Sequence, residues 1–385
     1  MLCPRRLALA PVALTLALGA CGSRARTPEP SEAPLPPHEG ALGLSQGPQR
    51  CELAPVSEAT PLAALTAILQ RQSVVTPGLS LLRGPDGPRA VALTQSEAHW
   101  QDARGHGQLR GLTVPPVPEQ VSIGFAGERV LGAIDNLAFE APPREGPVRG
   151  ASFTSGHRAL SVSAVGTRPG AALYVYSVNI LGRRDEIERA ELHIQRLDAR
   201  GGVLGEPSVW PIAGDGVERL GEVRVRWDFG HYVATLLEYP RGERRSWVLS
   251  PEGEPLLRES GLVACPASGC VKVEVHTEGG EGASMLRLSS PSGNQYWNTG
   301  VAAQDALGVA VSGTRLLVMH SPAPGLAGCS VAVLDPGHNT TLFEQTLDAL
   351  RCDPDRVVAT PRGFAMLEVD EASALRVRQI ACSLP

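Results

Sequence analysis

Short runs of alternating apolar and polar residues, separated by Gly, Pro, Asp and Ser, constrain the fold of this 385-residue chain more than any other feature. The segments Ala190–Gln195 and Val271–Val275 show the alternation clearly. A period of two is typical of β-strands that bury one face. Residues 51–385 are therefore predicted to be almost entirely β.

A longer repeat is superimposed on this alternation. A strand that ends in Leu, a small polar turn and a second strand recur, with the leucines at Leu82, Leu197, Leu249, Leu288 and Leu334. The last four leucines are about 46 residues apart on average, and Leu82 precedes Leu197 by about two such units. Repeats of about 40–50 residues with several short strands each are typical of β-propeller blades.

The predicted fold is therefore a single all-β propeller in residues 51–385, with about seven blades and a range of about six to eight. The alternative is a pair of β-sandwich domains of about 165 residues each. Sandwiches need no long-range repeat, and no linker-like segment divides 51–385 near its middle. Both observations favour the propeller.

One short helix is predicted near the start of this region, over Thr60–Gln70. Thr60 is a suitable N-cap, and Pro61 fits the first helical position. The apolar face of the helix would consist of Leu62, Leu65, Ile68 and Leu69.

The N-terminus has the organisation of an export signal. Two arginines precede an uncharged apolar stretch, Leu7–Leu18, which is too short for a membrane span because a spanning helix needs about 20 residues. The stretch ends in Leu18-Gly19-Ala20-Cys21, which resembles the lipobox of bacterial lipoproteins. The resemblance implies that residues 1–20 are a signal peptide and that the Cys21 thiol receives lipid chains, palmitate among them.

Residues 21–50 are predicted to be a lipidated, Pro-rich tether. In polyproline geometry, the segment after Cys21 reaches at most about 90 Å. Gly22 instead of Asp after the Cys implies sorting to the periplasmic face of the outer membrane, so the expected location is the cell envelope. The alternatives are an ordinary secretory signal with Cys21 as a plain thiol, or a twin-arginine signal at Arg5-Arg6.

One segment resembles a known propeller repeat. Leu288-Ser-Ser-Pro-Ser-Gly293-Asn-Gln-Tyr-Trp297 is similar to the turn-plus-tryptophan repeat of pyrroloquinoline-quinone-type (quinoprotein-like) propellers, in which the Trp docks on the neighbouring blade. Ser289 stands where that repeat has Asp, and Ser292 where it has Thr. Trp247 and Trp210 depart from the spacing in the other units. The resemblance covers this one segment and implies a propeller rather than a chemistry.

Six cysteines remain after removal of the signal peptide and lipidation of Cys21: Cys51, Cys265, Cys270, Cys329, Cys352 and Cys382. An even number in an exported protein predicts disulfides, and six cysteines allow fifteen pairings.

The expected pairing follows from the positions of these cysteines. Cys265 and Cys270 flank a turn-like tetrapeptide. Cys51 opens the folded region and Cys382 nearly ends it, so a bond between them would close a propeller, contributing on the order of 5 kcal/mol in the chain-entropy model. Cys329 and Cys352 then remain, within one blade.

A metal site built from Cys265, Cys270 and His276 is the competing interpretation of the closely spaced pair. No fourth ligand lies nearby in the sequence, and exported thiols tend to oxidise, so no metal is predicted.

Motifs that would indicate catalysis are absent or misplaced. Gly43-Leu-Ser45-Gln-Gly47 matches the serine-hydrolase pattern, but it lies in the tether with no strand before it. No P-loop, dinucleotide fingerprint, zinc-protease or EF-hand pattern occurs. The sequence therefore predicts no catalytic residue and no cofactor.

Three clusters of polar or aromatic residues are secondary candidates. The densest surrounds Trp100 and is interpreted as a solvated loop between blades; it contains His99, Asp102 and His106. The second is interpreted as a solvated hairpin tip and contains Arg183, Arg184, Asp185, Glu186 and Glu188. The third follows Trp227 and contains Phe229, His231 and Tyr232; it could line a ligand pocket, although an alternating strand would bury half of it.

The formal net charge of −5 argues against a nucleic-acid partner, which needs a basic patch. We expect a lipid-anchored envelope protein whose propeller binds a protein or ligand without transforming it, with another envelope protein as partner. The alternative is an exported enzyme, either a quinone-dependent dehydrogenase or a glycan-active hydrolase. No carboxylate pair of a glycosidase is recognisable in the sequence.

Overall fold

In the computed structural model, the strands of the described residues hydrogen-bond into seven antiparallel sheets, six of four strands and one of five. The structure describes residues 50–71, 78–84, 86–112, 120–126, 129–134, 137–141, 149–152, 158–181, 187–198, 202–212, 219–239, 242–277, 284–322 and 328–383. Residues 46–385 belong to one compact unit.

The folded region begins with short elements that later join the end of the chain. They are β1 (Cys51–Leu53), a 3-10 turn (Val56–Glu58), β2 (Thr60–Pro61) and α1 (Ala63–Arg71).

Six sheets follow in chain order, each a meander of four consecutive strands. Sheet 1 contains β3 (Leu79–Gly84), β4 (Gly87–Leu93), β5 (Glu97–Asp102) and β6 (Gly105–Arg110). Sheet 2 contains β7 (Val121–Ala126), β8 (Arg129–Ile134), β9 (Leu137–Ala141) and β10 (Arg149–Ser152). Sheet 3 contains β11 (Arg158–Arg168), β12 (Ala171–Leu181), β13 (Ile187–Asp198) and β14 (Ser208–Pro211).

The second half of the ring has the same organisation. Sheet 4 contains β15 (Arg219–Asp228), β16 (His231–Tyr239), β17 (Glu243–Leu249) and β18 (Pro255–Ser260). Sheet 5 contains β19 (Leu262–Ala264), β20 (Val271–Thr277), β21 (Ser284–Ser289) and β22 (Tyr296–Ala302). Sheet 6 contains β23 (Ala306–Ser312), β24 (Arg315–His320), β25 (Cys329–Asp335) and β26 (Thr340–Leu347).

The seventh sheet closes the ring with strands from both ends of the folded region. A 3-10 turn (Pro354–Arg356) leads into β27 (Val357–Thr360), β28 (Gly363–Val369) and β29 (Leu375–Cys382). Strands β1 and β2 both pair with β29. Cys51 lies directly opposite Cys382 in the ladder, and the two form a disulfide. The N-terminal strand is thus held by main-chain hydrogen bonds and by a covalent bond.

Consecutive sheets contact one another around a common axis, and the ring closes where β27 contacts β3. The all-β class, the propeller arrangement and the one short helix near the start of the folded region are confirmed, and the number of sheets among the described residues lies within the predicted range. The alternative of two separate sandwiches is wrong, because consecutive sheets face one another in a ring rather than in two layered pairs.

The hydrophobic core is divided among the interfaces between sheets. Within the described part of the chain the buried side chains form seven clusters, and each cluster combines residues from two consecutive sheets. The cluster between sheets 5 and 6 includes Trp297 at its edge, and that between sheets 3 and 4 includes Trp210.

The repeated Leu-plus-turn element occupies one structural position in four of its five instances. Leu197, Leu249, Leu288 and Leu334 each lie at or near the turn between the third and fourth strands of a sheet. Leu82, in contrast, precedes the turn between the first and second strands of sheet 1. Its assignment to the same repeat is wrong, because hairpins of either kind carry the same small polar turn residues.

The helix begins three residues later than predicted, at Ala63, because Thr60 and Pro61 pair with β29 instead of capping it. Its predicted apolar face is correct. Leu62 and Leu65 are buried between sheets 7 and 1, and Ile68 and Leu69 pack against the same cluster. None of the helices among the described residues has the length and apolar character needed to cross a membrane.

Candidate functional site

A cavity of about 440 Å³ lies on the axis of the ring, lined by residues from the first strands of the sheets. A second cavity of about 320 Å³ shares part of this wall. Much of the wall is aliphatic, with Ile123, Val165 and Val225 common to both cavities. The shared polar residues are Glu222, Arg224 and Asp355. The two cavities therefore meet at one group of charged side chains.

This group, which we call the axial charge cluster, consists of Glu222, Arg224, Asp353 and Asp355. Arg224 Nε donates a hydrogen bond to Glu222 Oε1. Arg224 Nη1 lies 3.7 Å from Asp353 Oδ1 and 3.6 Å from Asp355 Oδ1. One guanidinium thus faces three carboxylates in the middle of the ring.

Two elements bring the cluster together. Glu222 and Arg224 are two residues apart on β15, so strand geometry places both side chains on the same face. Asp353 and Asp355 come from the 3-10 turn that precedes β27. Asp353 caps this turn, since its Oδ1 accepts a hydrogen bond of 3.0 Å from the Asp355 backbone N–H.

The turn reaches the axis because the neighbouring strand has no side chain in its way. A Cβ at Gly308 on β23 would lie 2.7 Å from the Cβ of Pro354. The residue before the turn, Cys352, is bonded to Cys329 on β25, which fixes the start of the turn to sheet 6. A small residue and a disulfide together position both acidic side chains.

The surroundings of the axial charge cluster shift the pKa values of its side chains. Burial raises the pKa of Asp355 to about 6, Arg224 opposes this shift, and Asp353 and Glu222 add to it. Burial works to lower the pKa of Arg224, but Asp355, Glu222 and Asp353 together raise it above its ordinary value. Asp355 is therefore a carboxyl group that changes charge near pH 6, beside a permanent cation.

A second acid–base pair connects the cavity wall to sheet 5. Arg226 Nε donates to Asp228 Oδ1 at 2.9 Å, and Asp228 is almost fully buried. Asp228 Oδ2 accepts a 3.0 Å hydrogen bond from the backbone N–H of Cys265. This contact ties the end of β15 to the hairpin that carries Cys265 and Cys270.

The six described cysteines form the three disulfides that the sequence analysis predicts. They are Cys51–Cys382, Cys265–Cys270 and Cys329–Cys352. The lipobox with Cys21, the tether and the motif around Ser45 lie outside the described residues.

The interpretation of the Trp100 region as a loop is wrong. Trp100 and His99 lie on β5, and His106 lies on the paired strand β6. His99 is buried, its Nε2 lies 2.9 Å from Glu97 Oε2, and its ring stacks on His106 with centroids 5.6 Å apart. Burial and the neighbouring His99 lower the pKa of His106. Cross-strand pairing, which short sequence windows do not show, joins these side chains.

The structure describes only part of the second cluster, the predicted hairpin tip. Arg183, Arg184, Asp185 and Glu186 lie outside the described residues, and the structure places Glu188 within β13.

The third cluster does not form a common pocket. Phe229 is exposed at the tip of a hairpin, whereas Tyr232 is fully buried in the core between sheets 3 and 4. His231 lies near the Cys265–Cys270 pair, and the possible ligand atoms of these three residues all lie within 4.8 Å of one another. The histidine beside this pair is thus His231, from the adjacent sheet, and not His276, which is closer in sequence.

Sequence reasoning missed the axial charge cluster. In the sequence, Arg224 is only one polar position between two valines, Val223 and Val225. Glu222 and Arg224 line the axial cavity because β15 is an inner strand, and the sequence does not show which strand of a sheet is innermost. For Asp353 and Asp355, the segment Cys352-Asp-Pro-Asp-Arg indicates only a turn.

No protein-family model matches the chain, and no curated protein matches it significantly. Among solved structures, puromycin hydrolase is similar, with a TM-score of 0.51 and 10% identity over 83% of this chain and 55% of that chain. A mutant of puromycin hydrolase complexed with PGG gives a TM-score of 0.50 at 10% identity, over 82% of this chain and 53% of that one. The chain therefore spans about half the length of these structures, and at this identity the likeness shows the propeller fold alone.

Proposed function

We propose that this protein is a lipid-anchored component of the cell envelope that binds a partner through its axial cavity and does not transform it. The observation that carries the proposal is the cavity of about 440 Å³ with an aliphatic wall and the axial charge cluster. Binding sites of this size combine a mostly apolar wall with a few fixed polar groups.

One cation of the cavity wall favours recognition of a polar or anionic group on an apolar body. Arg224 is neutralised by its three carboxylates. Arg83 also lines the cavity, is exposed, and has no ion-pair partner among the described residues. Arg83 is therefore available to a carboxylate or phosphate of a bound peptide segment or ligand.

Location in the envelope is supported by two independent features. The lipobox at Leu18–Cys21 provides the attachment, and the three disulfides agree with an oxidising compartment. Since the rigid ring presents loops at both ends, another envelope protein is the expected partner.

The test is in-cell cross-linking with mass spectrometry on the lipidated protein. The proposal predicts one envelope partner whose cross-links map to the wall of the axial cavity. Arg83→Glu should reduce the yield at least about tenfold, because it reverses the available charge. Arg196→Glu is the matched control, since Arg196 is exposed on β13, away from the cavity.

Two further results decide the remaining parts of the proposal. If the yield of cross-links is the same in Arg83→Glu as in the wild type, the binding surface lies away from the axis. If no protein partner is recovered, native mass spectrometry of the purified chain shows whether a small ligand occupies the cavity instead.

A second candidate function is favoured by Asp355. Glycoside hydrolysis needs an acid that is still protonated near neutral pH beside an ionised carboxylate. Asp355, with its pKa of about 6, lies in one cluster with Asp353 and Glu222. Turnover of chromogenic glycosides by the wild type, lost in Asp355→Asn, would establish this alternative over simple binding.

A further inference from the structure

The hairpin between β19 and β20 carries a cysteine pair with the spacing of a metal-binding motif. Cys265 and Cys270 are separated by four residues, within the range of zinc-binding cysteine pairs. In the structure they form a disulfide. A histidine from another sheet, His231 at the start of β16, completes a group whose possible ligand atoms all lie within 4.8 Å.

The histidine is oriented as a metal ligand is. His231 Nδ1 lies 3.1 Å from the carbonyl oxygen of Phe229. A carbonyl oxygen only accepts hydrogen bonds, so Nδ1 carries the proton and the lone pair is on Nε2. Metal-binding histidines nearly always have their second nitrogen held in this way, which sets both the tautomer and the ring orientation.

The backbone next to the cysteines is held by the buried pair Arg226–Asp228 of sheet 4. Asp228 Oδ2 accepts from the Cys265 backbone N–H at 3.0 Å, and Arg226 donates to Asp228. Arg226 also donates to the Val263 carbonyl oxygen, two residues before Cys265. These contacts involve the backbone and not the sulfur atoms, so they persist when the disulfide opens.

The site is also accessible. Cys270 and His231 are partly exposed, while Cys265 is buried. A thiol reductant therefore reaches the pair through Cys270, and a metal ion has a solvent-facing side on which to keep a water ligand.

We propose that the dithiol form of this hairpin binds one divalent transition-metal ion, such as Zn²⁺, through Cys265 Sγ, Cys270 Sγ and His231 Nε2, with water in the fourth position. Zn²⁺ ligands lie about 2.0–2.3 Å from the ion, so a group of ligand atoms that all lie within 4.8 Å of one another is close to the size of a zinc site.

The change of state is a thiol–disulfide exchange. Two thiol groups of a reductant (a small thiol or a protein dithiol) supply two electrons and two protons. The Sγ–Sγ bond breaks, both cysteines become thiols, and the reductant leaves as its disulfide. Metal binding then releases the two thiol protons to solvent, since thiolates are the ligands.

The experiment compares the oxidised and reduced full chain by titration with Co²⁺, which reports thiolate ligation through a charge-transfer band, and then with Zn²⁺ in competition. The expected result is one ion per reduced chain and none per oxidised chain. Near-UV circular dichroism of the same samples shows that the ring stays folded.

Three variants locate the site. Cys265→Ser/Cys270→Ser should abolish the band, and His231→Ala should weaken the affinity at least about tenfold. His276→Ala is the matched control and should bind as the wild type does, although His276 is closer in sequence to the cysteines. Binding that survives the double Cys variant, or that is unaffected by His231→Ala, would overturn the proposal.

If reduction unfolds the chain, a second measurement tests the proposal. In that case the proposal requires Zn²⁺ to restore the near-UV circular dichroism signal of the reduced wild type but not that of reduced His231→Ala. An equal response of the two proteins, or no response, would contradict the site.

Discussion

Asp355 illustrates how a single carboxyl group depends on elements far apart in the chain. It faces Arg224, which is more than a hundred residues earlier, and it shares the cluster with Asp353 and Glu222. Its pKa of about 6 exceeds the ordinary 3.8, so the folded protein holds this proton more tightly than the unfolded chain does. Folding is therefore most favourable, as far as this group is concerned, at pH values below the unfolded pKa.

This raised pKa predicts a pH-dependent stability difference between the wild type and Asp355→Asn. As the pH rises from about 4 to about 6, the wild type should lose stability relative to the variant, and the difference should be constant above that range. The full shift corresponds to about 3 kcal/mol. Because 40% of the Asp355 side chain is open to the cavity, we expect about 1 kcal/mol.

Urea denaturation at several pH values measures the difference, with Glu371→Gln, an exposed position outside the cavity wall, as the control. A stability difference that does not vary between pH 4 and pH 7 would contradict the assigned protonation.

Gly308 is the residue on which the position of the axial turn depends. Gly308→Ala places a methyl group 2.7 Å from the Pro354 Cβ, so the turn must move. We expect a loss of about 1–3 kcal/mol in the free energy of unfolding, as for other overpacked sites. Gly337→Ala is the matched control, because a Cβ there has no neighbour closer than 3.4 Å. Equal stabilities of the two variants would show that Pro354 does not pack against β23.

At the scale of elements, the closing sheet differs from the other six because its strands come from both ends of the chain. β1 pairs with β29 across a sequence separation of 331 residues, so this pairing bears the entropy of closing a long loop. The Cys51–Cys382 disulfide removes most of this cost from the unfolded chain. The Cys265–Cys270 bond closes a loop of 5 residues and therefore removes much less conformational entropy from the unfolded chain.

This difference predicts unequal effects of removing the two disulfides. Cys51→Ser/Cys382→Ser should cost on the order of 5 kcal/mol of unfolding free energy, and Cys265→Ser/Cys270→Ser about 2 kcal/mol. Chemical denaturation of the oxidised proteins makes the comparison. A larger loss for the short loop would mean that native contacts, rather than chain entropy, dominate the effect of the disulfides.

At the scale of the whole molecule, stability resides between the sheets and not within them. Among the residues that the structure describes, each cluster of buried side chains belongs to two consecutive sheets rather than to one. Because the sheets pack face to face in a ring, their inner strands surround the axis. These strands line the cavity that we propose as the binding site.

Attachment to the membrane is the prediction that belongs to this scale. Cys21→Ser should move the protein from the membrane fraction to the soluble fraction of the envelope, since no other residue at that position accepts the lipid. Metabolic labelling with a palmitate analogue, expected in the wild type and absent in Cys21→Ser, separates loss of lipidation from failure of export. Unchanged labelling of the variant would exclude Cys21 as the lipid acceptor.

The sequence by itself determined the elements that depend on local chemistry. The alternation of Val271–Val275 specifies a strand with one buried face, and the spacing of Leu62 and Leu65 specifies the inner face of the helix. The position of Cys51 and Cys382 near the two ends was enough to predict the closing disulfide once a propeller was inferred. Each of these signals lies within a few neighbouring residues or at the chain ends.

Only the tertiary structure decided which distant side chains meet. Arg224 and Asp355 come together because a ring brings the inner strand of sheet 4 opposite the turn before sheet 7. His231 replaces His276 beside the cysteines because neighbouring sheets pack side by side, whatever their separation in sequence. The alternation of residues predicts which face of a strand is polar, but the packing of the closed ring determines which side chains that face contacts.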